Sequence, residues 1–113
     1  MKVQIYLYKQ KLAKGKIVHD IVPTYTGYVE VEKLDTYEEA EHIFDLCCWD
    51  LWAKEKPSNL HADIKSNGYG HGLCLLNTET KKNWLSKSVG WLVGDEKTIS
   101  DYVLNNRHNL IWR

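Results

Sequence analysis

Residues 34–57 read LDTYEEAEHIFDLCCWDLWAKEKP, a stretch that carries a helical period and has both of its ends marked. Thr36 and Glu39 stand three apart, the spacing of a capping box, in which the threonine hydroxyl accepts the third helical amide and the glutamate reaches back to the threonine amide. The helix is therefore expected to start near Tyr37. Pro57 disfavours helical geometry at the residue before it, which places the stop near Lys54 or Glu55, about five turns on.

Steps of about 100° per residue put Ala40, Ile43, Phe44, Cys47, Cys48 and Leu51 on one side, with Tyr37 at its edge. This is the expected core face. Opposite lie Glu38, Glu41, Asp45, Trp49 and Trp52, three or four residues apart, with His42 beside them. Two explanations of the indoles compete. Large aromatics are usually covered by their own chain, whereas a tryptophan-bearing patch rimmed by charge marks a contact surface.

Outward from this segment, the charge is uneven. The formal net charge is zero, yet residues 1–29 sum to +4, residues 30–55 to −7 and residues 56–113 to +3. No basic cluster is dense enough to suggest nucleic acid as the direct ligand. The acidic helix and its approach suit a protein partner with a basic surface, although an amphipathic helix also needs a solvated face for its own sake.

Upstream, KVQIYLYK at 2–9 alternates Val3, Ile5 and Leu7 against Gln4, Tyr6 and Tyr8, the period of a half-buried strand. The lysine-rich QKLAKGK suits an exposed turn, Ile17–Val22 a second strand ending at Pro23, and Tyr25–Leu34 a strand that runs into the capping box. Downstream, Leu60–Lys65 alternates again and Asn67-Gly68 has the chemistry of a two-residue hairpin turn. A hairpin closed there opposes Asp63 to Gly72 and His61 to Cys74. Asn77–Thr80 reads as a turn and Lys82–Lys87 as a strand carrying Trp84. Residues 88–94 fit either a strand or a buried loop. Thr98–Asp101 matches a helix cap, Asn105-Asn106 a helix end, and Leu110, Ile111 and Trp112 an edge strand or a core lid. The fold class expected is α+β: a single domain over 1–113, an antiparallel sheet with one long amphipathic helix packed on one face and a short C-terminal helix.

Length and composition bound the rest. A chain of 113 residues, 43% hydrophobic, can bury a core without splitting into domains. It has no apolar run of membrane-spanning length and no apolar block like that of a signal peptide near its start, so a cytoplasmic protein with no membrane partner is expected. Three cysteines, two of them adjacent, make a poor disulfide framework and point to free thiols in a reducing compartment. The excess of lysine over arginine and the seven asparagines are what an AT-rich genome produces, such as that of a low-GC bacterium or its phages and plasmids.

Three functional readings follow. The first is a protein-binding module, concretely a phage- or plasmid-encoded inhibitor that lays Glu38, Glu41, Asp45, Trp49 and Trp52 against a basic surface such as the nucleic-acid groove of a nuclease or defence complex. The second is a small metal-dependent or His/Asp hydrolase on the 60–76 hairpin, built on His61, Asp63, His71 and Cys74. No paired zinc-ligand spacing supports it, and no cofactor is implied. The third is a small-ligand or nucleotide sensor on the glycine-lined side of the hairpin, with Tyr69 as a lid. Gly68, Gly70 and Gly72 lack the GK[ST] ending of a phosphate loop, and Cys47 and Cys48 sit on the buried face, where a nucleophile has no access.

Overall fold

The alternation of KVQIYLY forms strand β1, Lys2–Tyr8, and the sheet is built outward from it. A computed structural model describes residues 1–48, 55–64, 72–87 and 89–106. Val3, Ile5 and Leu7 are fully buried on one side of β1. A strand with such a side is stable only when flanked and covered. Its neighbours are β4, Thr24–Glu30, and β6, Gly72–Asn77, both antiparallel to it. With β5 (Leu60–Ala62), β7 (Asn83–Ser86) and β8 (Trp91–Gly94) they make a six-stranded sheet in the order β5-β4-β1-β6-β7-β8.

Between β1 and β4 a separate hairpin pairs β2, Gln10–Ala13, with β3, Lys16–His19. Its two turn residues, Lys14 and Gly15, both have positive φ, +53° and +75°, which matches the twist of a two-residue turn to that of its strands. The sequence suggested a plain turn over QKLAKGK because Lys-Gly lacks the asparagine that usually announces this geometry. Leu12 faces Ile17 across the hairpin, and both side chains are exposed.

Helix α1 spans Tyr37–Cys47 with its capping box formed as the spacing predicts. Glu39 N donates to Thr36 Oγ1 at 3.2 Å, and Thr36 N donates to Glu39 Oε1 at 3.0 Å. The helix thus has 11 residues, about three turns. Cys48 leaves helical geometry at φ −97° and ψ 22°. The remainder of the expected helix, with Trp49, Leu51 and Trp52, lies outside the described residues. On α1, Ala40, Ile43, Phe44 and Cys47 are buried, followed by Cys48 at the cap. They join Val3, Ile5, Leu7, Val29, Leu73, Leu75, Trp84 and Trp91 in the main core.

Helix α2, Glu96–Asn105, starts earlier than the sequence suggested. The cap is Asp95, whose carboxylate accepts Thr98 N at 2.8 Å. It displaces the rival pattern at Thr98 because it turns Ile99 and Val103 inward from a full-length helix. These pack with Tyr8, Cys74 and Leu85 in a second, smaller core on the other side of the sheet. Both faces of the sheet therefore carry a helix. The chain after Asn106 lies outside the described residues.

One expected pairing is overturned. β5 pairs with β4 instead of turning directly onto β6, so two strands, β4 and β1, stand between them. The physical reason lies in burial. Gly72–Leu75 and Asn77 are buried in β6, which therefore belongs at the centre, whereas β5 has three residues and an exposed His61 and suits an edge. The turn residues Asn67 and Gly68 lie outside the described residues.

Candidate functional site

Helix α1 sets three flanks by its phase. Ile43 and Cys47 point into the sheet. Glu38, His42 and Asp45 are exposed on the outer side. Glu41 is only half exposed, because its Oε1 accepts the Trp91 indole N–H at 3.0 Å. The acidic stripe is therefore divided: Glu41 braces the helix to β8, while Glu38 and Asp45 face outward. Trp91 packs edge-on against Phe44 at 6.4 Å and Trp84 at 6.5 Å, and Tyr37 lies edge-on to Trp84 at 5.9 Å, closing that flank with aromatic rings.

The two indoles differ in one respect that stability measurements can read. Among the described residues Trp84 Nε1 is buried without a hydrogen bond, whereas Trp91 Nε1 donates to a carboxylate. Both phenylalanine substitutions remove similar ring volume, but only Trp91→Phe removes a hydrogen bond to a charged group, worth ~1.5–3 kcal/mol. Trp91→Phe should thus cost about 1.5 kcal/mol more than Trp84→Phe in guanidinium unfolding followed by circular dichroism. Equal losses would show that the Glu41 contact contributes nothing.

The opposite flank of α1 is a groove. β4 ends at Glu30, and the chain returns past Val31, Glu32 and Lys33 before the capping box, leaving an opening of about 550 Å³ between this return and the helix. Glu30, Glu32, Glu38 and Glu39 line it with His42 and Lys33, and Val31 and Ile43 contribute apolar surface. The return is held by hydrogen bonds to its backbone: Glu30 N donates to Asn59 O at 2.9 Å, the Asn59 side-chain Nδ2 to Glu30 O at 3.0 Å, and the amino terminus to Val31 O at 2.7 Å. Glu39 is occupied by the cap. Its carboxyl is held below the usual range first by the Asp35 amide, which desolvation opposes, and further by the Thr36 hydroxyl and amide and the Lys33 charge. Among the described residues, Glu30, Glu32 and Glu38 form no ion pair. Sequence reasoning placed Glu38 correctly on the outer side but missed Glu30 and Glu32, which lie on the approach strand and its return.

The residues considered for catalysis are not gathered. His61 and Asp63 are exposed near the β5 edge, with the His61 ring 5.0 Å from that of Tyr28. Cys74 is buried on β6, beyond β4 and β1, roughly 14 Å away at the usual strand spacing. Burial pushes its thiol up to about 12. His71 and Tyr69 lie outside the described residues. Burial also raises the Cys47 thiol, and Cys47, Cys48 and Cys74 are all free. Among the described residues no three His, Cys, Asp or Glu side chains gather as a metal-binding group, and no helix is long and apolar enough to cross a membrane.

The fold and groove define a small α+β protein with a two-sided antiparallel sheet and an acidic flank on its first helix. Comparison with protein-family models, curated proteins and solved structures finds no match.

Proposed function

We propose that this protein is a binding module that captures a basic segment of a larger protein in the groove between α1 and the return from β4. The observation that carries the reading is the convergence of Glu30, Glu32 and Glu38 on one groove, against Lys33 among its lining residues, with none of the three in an ion pair among the described residues. Carboxylates left in this state repel one another, and a lysine- or arginine-rich segment relieves the repulsion while covering Val31 and Ile43. Asp45, exposed about two turns beyond Glu38 on α1, extends the negative surface. In its most concrete form the partner is a nuclease or defence complex, and the module is a phage- or plasmid-encoded inhibitor that covers its nucleic-acid groove. A cytoplasmic setting agrees with three free, buried thiols.

A lysine- and arginine-rich peptide of about ten residues, titrated by calorimetry at rising salt, tests this. Binding should weaken steeply with ionic strength. Glu38→Lys combined with Glu30→Lys should lower affinity at least tenfold, about 1.4 kcal/mol. Glu41 is unsuited to this test, because replacing it also releases Trp91. Unchanged affinity and salt dependence in the double variant would remove the groove as the binding site.

A further inference from the structure

α2 crosses the sheet over β7 and β8 and leaves the adjoining part of that face open. There, β1 presents Tyr6 and Tyr8, β6 presents Leu76, and the first turns of α2 present Glu96 and Ile99, around a cleft of about 490 Å³. The volume falls in the range of small-molecule sites, roughly 300–1,000 Å³. Tyr6 donates its hydroxyl to Gln4 Oε1 at 2.9 Å. Tyr8 is 3% exposed, yet its hydroxyl makes no hydrogen bond among the described residues, and the oxygen is not sealed. A buried phenol normally has a partner, and the open space beside Tyr8 is this cleft. Asn83 adds a second donor. Its Oδ1 accepts the Cys74 thiol at 3.9 Å, while its amide NH2 makes no hydrogen bond among the described residues.

We propose that this cleft binds a small, uncharged, planar heteroaromatic molecule with an amino donor beside a carbonyl or ring-nitrogen acceptor, the chemistry of a nucleobase, free or as a nucleoside. The Tyr6 ring, Leu76 and Ile99 cover the flat body. Tyr8 and Asn83 donate to the acceptor edge, and the exposed Glu96 carboxylate accepts from the amino group. Asp95 and Glu96 both line the wall, against Lys81 as the cation among the lining residues. This balance disfavours phosphate and carboxylate groups. The site lies across the sheet from the acidic groove and does not depend on it.

The test is a chemical-shift titration of the 15N-labelled full chain with cytidine, adenosine, guanosine, uridine and adenosine 5′-monophosphate at millimolar concentrations. Saturable shifts should cluster on β1, β6 and the start of α2 for the nucleosides that carry an exocyclic amine, and uridine should bind more weakly. Tyr8→Phe, which keeps the ring, should weaken binding about tenfold. Glu96→Ala, at an exposed position, should weaken cytidine more than uridine. The proposal is overturned by absent shifts, by shifts confined to the acidic groove, by equal affinity in both variants, or by tighter binding of the monophosphate than of adenosine.

Discussion

Gly27→Ala is expected to cost about 3–4 kcal/mol, the sum of backbone strain and an overlap that no rotamer change relieves. Gly27 is buried in β4 with φ at +137°, a region that L-residues with a side chain rarely adopt. It sits at an irregularity where β1 and β4 change register: Ile5 faces Gly27, Tyr6 faces Tyr25, and Thr26 is left over. The Thr26 hydroxyl donates to Ile5 O at 2.9 Å, and Thr26 O accepts Asp63 N at 3.0 Å, so the bulge stitches β1, β4 and the end of β5 together.

A methyl group at Gly27 would meet the His61 carbonyl oxygen and lie 2.6 Å from Ala62 Cα. Both are backbone, so β5 would have to move away from β4, exposing Leu60, Ala62 and Ile64. Gly90→Ala is the control. It also has positive φ, +77°, but a methyl there meets nothing within 4 Å, so strain alone remains, about 1–2 kcal/mol. Denaturant unfolding should separate the two variants, and amide exchange at Glu30 and Asp63 should accelerate in Gly27→Ala alone. Equal stability of the two would show that the approach of β5 to β4 is not tight.

Strands β1, β4, β5 and β7, the start of α1 and its buried side were legible in the sequence because each depends on neighbours a few residues away, whereas β2 read as a turn and β8 was ambiguous. Thr36 and Glu39 close their box within four residues, and Val3, Ile5 and Leu7 announce a strand by alternation alone. Strand order was not legible. Asn67-Gly68 is a strong local turn signal, but the place of β6 between β1 and β7 depends on burial of both its faces, which is settled only when all the strands assemble. The same limit governs the acidic stripe. Glu38 and Asp45 follow from helical phase, whereas the diversion of Glu41 depends on Trp91, fifty residues later on another strand. Tyr6 and Tyr8 were read as the outward side of β1. That α2 covers only part of this side, and so leaves a cleft, is a property of helix placement that no local pattern carries.

Asn77 should prove the most demanding single polar residue in the described chain, with Asn77→Ala costing about 3 kcal/mol, roughly one per hydrogen bond lost. The residue is 2% exposed. Its Oδ1 accepts the amides of Glu79 at 2.9 Å and Thr80 at 3.1 Å, which shapes the turn from β6 to β7. Its Nδ2 donates to Leu34 O at 3.1 Å, which ties that turn to the residue leading into the α1 cap. Donors and acceptors on both sides leave one orientation of the amide. Asn77→Asp separates the two roles, since a carboxylate keeps both acceptor bonds but turns a negative oxygen toward the Leu34 carbonyl. Relative to the unsubstituted protein, its penalty should be largest at neutral pH, where the new carboxyl is charged. The penalty should shrink as pH falls, because the protonated group can donate to Leu34 O. Asn77→Ala has no such group, and its penalty should not vary with pH. Parallel pH series of denaturant midpoints for the two variants would decide this. A pH-independent penalty for Asn77→Asp would mean that the bond to Leu34 does not hold the turn against the helix entry.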